Sequence, residues 1–174
     1  MANNRISIAY FERLILLNLG LACFASCDSQ PSIVSTPNQQ EVIQVLDAWH
    51  QAASDADHEK YFSYFENDSS IFMGTDATER WTVAEFKPWS KPYFDRGKAW
   101  NFTPEKRFIY FSKDGKTAWF DEELATPNLG PSRGTGVLNN TLTGWKIAHY
   151  NLTVPIPNEL ISEFIPKIDS VLSK

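Results

Sequence analysis

The chain is poor in cysteine, glycine and basic charge, and each shortage removes a class of protein. Only Cys23 and Cys27 occur in 174 residues, both near the start, so the rest of the sequence offers no thiol for a disulfide framework, a metal site or a nucleophile. Eight glycines exclude a collagen-like repeat, and ten scattered prolines exclude a long coiled coil. Sixteen Lys and Arg stand against 21 Asp and Glu, a net charge of −5, which leaves no basic face for nucleic acid and no polybasic membrane patch. The sharpest apolar run, Leu14 to Ala25, is too short for a spanning helix, which takes about 20 residues. There is no Ser–His–Asp elbow, and the three histidines lack the i, i+4 spacing of a zinc site, so no metal and no cofactor are expected. What is abundant is aromatic bulk. Six Trp, six Tyr and twelve Phe make 14% of the chain, enough for a large core or an aromatic-lined cavity.

The two cysteines carry a localisation argument. Arg5 and Arg13 precede the apolar run, which ends in Phe24-Ala25-Ser26-Cys27. A basic start, about a dozen apolar residues and small residues before a cut describe a secretory signal. The end of the run resembles the bacterial lipobox, which implies lipidation of Cys27 after removal of residues 1–26 and an envelope protein anchored in the membrane by that lipid. Plain secretion and an uncleaved anchor are the alternatives. Removal of residues 1–26 takes Arg5, Arg13 and Glu12, leaving 14 basic against 20 acidic residues, a balance of −6.

Residues 27–36 are polar and Ser-rich, a tether. Thr36-Pro37-Asn38-Gln39 reads as a helix start capped by Thr36, and Val42, Val45, Leu46, Trp49 and Ala53 follow as one apolar stripe. A second helix starts at Asp57 with Tyr61, Phe62 and Phe65 inward, followed by a strand over 69–73. Thr82-Val83-Ala84-Glu85 is a capping box opening a third helix, which Pro88 and Pro92 should bend or break and Gly97 should stop. From there the period changes to 2. A short strand is expected over 99–103, then a hairpin of strands 107–112 and 117–125 turning on Asp114-Gly115, then a pair over 133–138 and 145–153. Leu160, Ile161, Phe164, Ile165, Ile168 and Leu172 mark a terminal helix. Helices first and a strand meander after them give an α+β class.

Three stretches, Val45–His50 with Tyr61–Phe65, Phe72–Trp81 and Gly144–Thr153, resemble the SnoaL-like branch of the nuclear transport factor 2-like superfamily. The resemblance covers roughly residues 40–157. It implies a cone, in which a strongly curved antiparallel sheet wraps the N-terminal helices and leaves a pocket at its wide end, and it implies pairing as a homodimer through the sheet. Domain limits follow: signal 1–26, tether 27–36, SnoaL-like domain 37–157, and a C-terminal helical extension 158–174. The final-strand motif of the family often has His where this chain has Asn151.

Strand periodicity places Trp145, Ile147, His149 and Asn151 on one face and Trp119, Asp121 and Glu123 on one face, with Glu122 on the other. A carboxylate facing an apolar cone is a candidate general base, and relatives use an Asp or an Asp–His pair in this way, so Asp121 and His149 are the catalytic candidates. A surface ion pair is the plainer reading of the same acids. Trp49, Tyr61, Asp76, Trp81, Trp119 and Asn151 are the expected ligand-binding residues at the mouth, with Trp145 and Ile147 as its closed base. Tyr150 and Leu152 are expected on the outer, dimer-forming side, and His50, one step round the helix from Trp49, is expected to face solvent. Arg133, in a Gly-x-Gly stretch without the strand–helix context of a phosphate loop, could meet an anion. The functional expectation is an envelope-anchored domain binding a small, partly apolar ligand. Its alternatives are an enzyme for proton transfer, isomerisation or hydration, and a protein that docks a structural partner.

Overall fold

The computed structural model describes residues 38–173; Cys27, the tether and Thr36 lie outside them. Helix α1 (Gln39–Ser54) is capped by Asn38, whose side chain accepts from the Gln40 N–H. Helix α2 (His58–Ser63) is capped by Asp57. Strand β1 (Ile71–Met73) and strand β2 (Arg80–Thr82) form a small hairpin, and β2 was not foreseen. Helix α3 (Val83–Asp95) opens on the expected capping box, with Thr82 and Glu85 bonded reciprocally. It runs through both Pro88 and Pro92 instead of breaking there. Packing of Val83, Phe86, Ser90 and Phe94 holds it against the core, and His58 Nε2 donates to the Lys87 carbonyl at 3.0 Å in the proline-interrupted stretch. Gly97, at φ +70°, ends the turn that follows.

Four long strands come next: β3 (Thr103–Phe111), β4 (Thr117–Thr126), β5 (Gly130–Thr141) and β6 (Gly144–Thr153). The strand expected over 99–103 is absent; the chain there is irregular until β3 begins. The six strands make one sheet in the order β2-β1-β6-β5-β4-β3, antiparallel except where β1 runs parallel to β6. The sheet curls around α1 and α2 without closing, so the architecture is an α+β cone. Val42, Leu46 and Trp49 of α1 meet Phe120, Leu124, Leu138, Ile147 and Tyr150 of the sheet in its core.

Two features decide which faces point inward. The first is a bulge: Val137 pairs with His149 and Leu138 with Ile147, so Ala148 is an extra residue in β6. On the other side of β6 the chain after α2 pairs at the same place, with Ile147 N–H donating to the Tyr64 carbonyl and Glu66 N–H to the Ile147 carbonyl, both at 2.9 Å. The bulge reverses the alternation. Trp145 and Ile147 face inward before it, and Tyr150 and Leu152 face inward after it. The second is the glycine pair of β5. Gly134 lies opposite Glu122 and Gly136 opposite Phe120, and a Cβ on Gly136 would come within 2.6 Å of both the Phe120 ring and the His149 carbonyl oxygen. The missing side chains make room for the inward row of β4.

The chain leaves the sheet through Pro155 and Pro157 into a short 3-10 turn and helix α4 (Ile161–Leu172). The terminal helix is as expected, but none of its residues is buried.

Candidate functional site

A cavity of about 600 Å³ opens between α3, the β1–β2 hairpin and the loops after α3 and β4. Seven aromatic residues line it: Phe72, Trp81, Phe86, Trp89, Tyr93, Trp100 and Phe102. Their placement follows from local sequence. Phe86, Trp89 and Tyr93 sit at helical spacing on α3, Phe72 and Trp81 are cross-strand partners in the hairpin, and Trp100 and Phe102 follow the Gly97 turn. Phe72 and Phe86 stack at 4.0 Å with planes 8° apart. Trp81, Trp89 and Trp100 extend the stack around Phe86 at 5.3, 5.7 and 5.8 Å, all within 28° of parallel. Leu129 and Leu152 complete the apolar wall. Such a lining suits a small ligand with apolar, planar surface.

Polar groups in the lining are few. Among the described residues Glu79 and Lys98 are the only charged ones in the lining, with Ser54, Thr75, Asn101 and Asn128 beside them. The loop over 74–79 is tightly determined: Gly74 N–H donates to the Glu79 carbonyl at 2.9 Å, and Glu79 N–H to the Asp76 carbonyl at 3.0 Å. The Asp76 carboxylate accepts from the Thr78 hydroxyl at 2.6 Å and its N–H at 2.8 Å, which holds its pKa below the ordinary value.

Behind this cavity, and not lining it, lies a buried charged network. Glu122 is 1% exposed. A carboxylate only accepts, so His50 presents Nε2–H to Glu122 Oε1, at 2.8 Å. Arg107 Nε donates to Oε2 at 2.8 Å, and its Nη1 reaches Asp47 at the surface at 2.8 Å. Burial pushes Glu122 up, but His50 and Arg107 outweigh it and hold the carboxyl below its ordinary value. The Tyr150 hydroxyl belongs to the same cluster: a Cβ on Gly134 would stand 2.6 Å from it and 2.7 Å from Glu122 Oε1. Burial, with the Glu122 carboxylate beside it, raises the pKa of that hydroxyl well above the ordinary tyrosine value.

The expected residues are distributed differently from the sequence reading. Trp81 lines the cavity. Trp49 and Tyr61 are core residues, stacked on each other at 5.2 Å, and do not reach it. Asp76 is exposed on the loop, outside the lining. Trp119, Asp121, His149 and Asn151 do come together, but on the outer face of the sheet. Trp119, Val137 and His149 form one cross-strand row, and Asp121, Thr135 and Asn151 the next. The glycine pair fixes this for β4 and the bulge for β6, so the assignment of Asp121 and His149 to the cone interior is corrected: the inward carboxylate is Glu122. Burial, with Arg80 nearby, holds His149 below the ordinary histidine pKa. Tyr150 and Leu152, expected outside, are buried; the outer aromatic residues are Phe108, Tyr110 and Trp119. His50 is buried rather than solvent-facing, and Arg133 is exposed on the outer side of β5. Among the described residues no three His, Cys, Asp or Glu side chains converge to hold a metal ion.

Phe86, Trp89 and Trp100 as cavity residues, and His50 and Glu122 as partners, are not among the expected site residues. The 86–89–93 spacing was a usable signal for the first group. The glycines at 134 and 136, two apart in a strand, were the signal for the second.

Comparison with known proteins agrees with this fold. The SnoaL-like domain family matches residues 42–157. An NTF2-like protein from Pseudomonas putida KT2440 superposes with a TM-score of 0.56 at 13% identity, over 69% of this chain and 88% of that one. A protein of the NTF2-like family from Streptomyces avermitilis gives 0.58 at 15% identity, over 68% and 96%. An NTF2-like protein from Cytophaga hutchinsonii gives 0.53 at 18% identity, over 68% and 99%. Comparison with curated proteins finds no match. The fold is that of the NTF2-like superfamily, and the chain belongs to the SnoaL-like domain family.

Proposed function

We propose that this chain is an envelope-anchored ligand-binding protein, holding a small, partly apolar molecule in the aromatic cavity, tied to the membrane by lipid on Cys27 and associating as a homodimer. The cavity carries the reading. Among the described residues its wall has seven aromatic side chains and two charged ones, a lining suited to enclosing apolar surface. An acid–base enzyme has less support, because Glu122 and His50 are sealed from the cavity and Asp121 and His149 lie outside the cone. For the dimer, Phe108, Tyr110 and Trp119 expose an aromatic patch on the outer sheet face, with Tyr110 stacked on Trp119 at 5.9 Å. For the anchor, the support is the sequence around Cys27.

One preparation tests all three parts. Protein from the membrane fraction should show, by intact mass, loss of residues 1–26 and an acyl mass on Cys27; a free protein with another N-terminus contradicts the anchor. Sedimentation should show a dimer that Trp119→Glu splits; a wild-type monomer at micromolar concentration contradicts the pairing. Tryptophan fluorescence should respond saturably to an apolar aromatic probe such as naphthol. Trp81→Ala should weaken that binding about tenfold, since one well-buried aromatic contact is worth roughly 1.5 kcal/mol. Unchanged affinity in Trp81→Ala contradicts the cavity as the site.

A further inference from the structure

Glu79 is the one polar group of the cavity wall that the fold sets rigidly in place. Its Oε2 accepts the Asp76 N–H at 3.2 Å, and its backbone closes the loop on Gly74 and Asp76. Gly74 is the counterpart of this placement: a Cβ there would lie 2.2 Å from Glu79 Oε2, so the carboxylate occupies space that any other residue would fill. Among the described residues no Lys, Arg or His stands in ion-pair distance of Glu79. A half-buried carboxylate, fixed beside an aromatic stack and lacking a cationic partner, is poised to receive one from outside.

The surrounding rings favour the same charge. The π face of Trp, Tyr or Phe carries negative potential and attracts a cation, Trp most strongly. The rim already shows this preference, with the Arg96 guanidinium 4.8 Å over the Tyr93 ring. Lys98 and Arg96, on the exposed turn after α3, would draw an anion instead. Both are solvent-exposed whereas Glu79 is partly buried, so water and salt screen them more than they screen Glu79.

From these observations we infer that the cavity selects an organic cation, a ligand whose apolar body stacks among Trp81, Phe86, Trp89 and Trp100 and whose ammonium group meets Glu79. This rests on the reading of the cavity as a ligand site and adds the charge of the ligand to it.

Three naphthylmethyl probes of one shape test it by tryptophan fluorescence titration of the full chain: the trimethylammonium, its neutral tert-butyl counterpart, and the sulfonate. The trimethylammonium should bind at least about tenfold tighter than the neutral compound, the greater part of that preference coming from the Glu79 carboxylate and the rest from the ring faces. Glu79→Gln, which keeps the loop's shape, should remove most of that preference and leave the neutral probe's affinity unchanged. Equal binding of cation and neutral compound, tightest binding of the sulfonate, or indifference of the cation to Glu79→Gln would overturn the charge assignment while leaving the cavity as a ligand site. Failure of all three probes to bind would overturn both.

Discussion

Glu122→Ala should cost about 3–5 kcal/mol of folding stability, the range for breaking a buried ion pair from one side. The change strips His50 and Arg107 of the carboxylate they both contact and opens a void beside Tyr150. Arg107 is itself 7% exposed and keeps only the surface carboxylate of Asp47. Asp47→Ala is the control: that carboxylate is largely exposed, so its loss should cost no more than about 1 kcal/mol. Denaturant unfolding monitored by circular dichroism measures both, and equal costs would mean that Glu122 is not the centre of the network. The pH dependence has a definite sign. Glu122 titrates below its ordinary value of 4.5 when folded, so the unfolded chain takes up the proton first. Its stabilisation is therefore complete above about pH 4.5 and is lost as pH falls through the lower, folded value. The acid limb of the wild-type stability profile should be steeper than that of Glu122→Ala.

Phe86→Ala is expected to have an effect of similar size through a different mechanism. The ring is 1% exposed and packs against Phe62, Phe72, Trp81, Trp89 and Trp100, so it is at once core and cavity wall. Removing it takes away buried apolar surface and leaves a cavity that α3, pinned by its capping box, cannot collapse to fill. Loss of about 3–5 kcal/mol is the usual range for Phe→Ala in a core. Phe86→Leu should cost clearly less, because it restores most of the volume. Thermal unfolding of the two variants separates packing from ring-specific stacking. If both lost the same stability, the stacking geometry rather than the filled volume would be what Phe86 contributes.

The parts of the fold that rest on local signals were legible in the sequence. The apolar stripe of α1, the Thr82–Glu85 capping box, the Asp114-Gly115 hairpin and the class switch from helices to strands each depend on residues within a few positions of one another. What was not legible depends on partners far along the chain. β4 reads Trp119-Phe120-Asp121-Glu122-Glu123, with a large aromatic and a carboxylate on each face, so alternation alone cannot choose the inner one. The choice is made across the sheet, by the empty positions at Gly134 and Gly136. β6 alternates cleanly as far as Ile147 and then admits Ala148 as a bulge, because the chain after α2 pairs with Ile147 from the other side. That one residue moved His149 and Asn151 out of the cone and Tyr150 and Leu152 into it. His50 was misread for a related reason: its helix face looked polar, but the polar group it meets, Glu122, is 72 residues away. In α3 the prolines were over-read, since the packed face of Val83, Phe86, Ser90 and Phe94 outweighs the hydrogen bonds they remove.

The central claim, that the aromatic cavity is where this protein meets its ligand, is tested most directly by a crystal structure of the protein soaked with naphthol at a concentration that saturates the tryptophan fluorescence change. The account predicts ordered density for the probe in the cavity, its ring stacked within the set formed by Phe86, Trp89 and Trp100. A saturated probe found only elsewhere, on the outer sheet face beside Trp119 or between copies of the chain, with the cavity holding water alone, would contradict it.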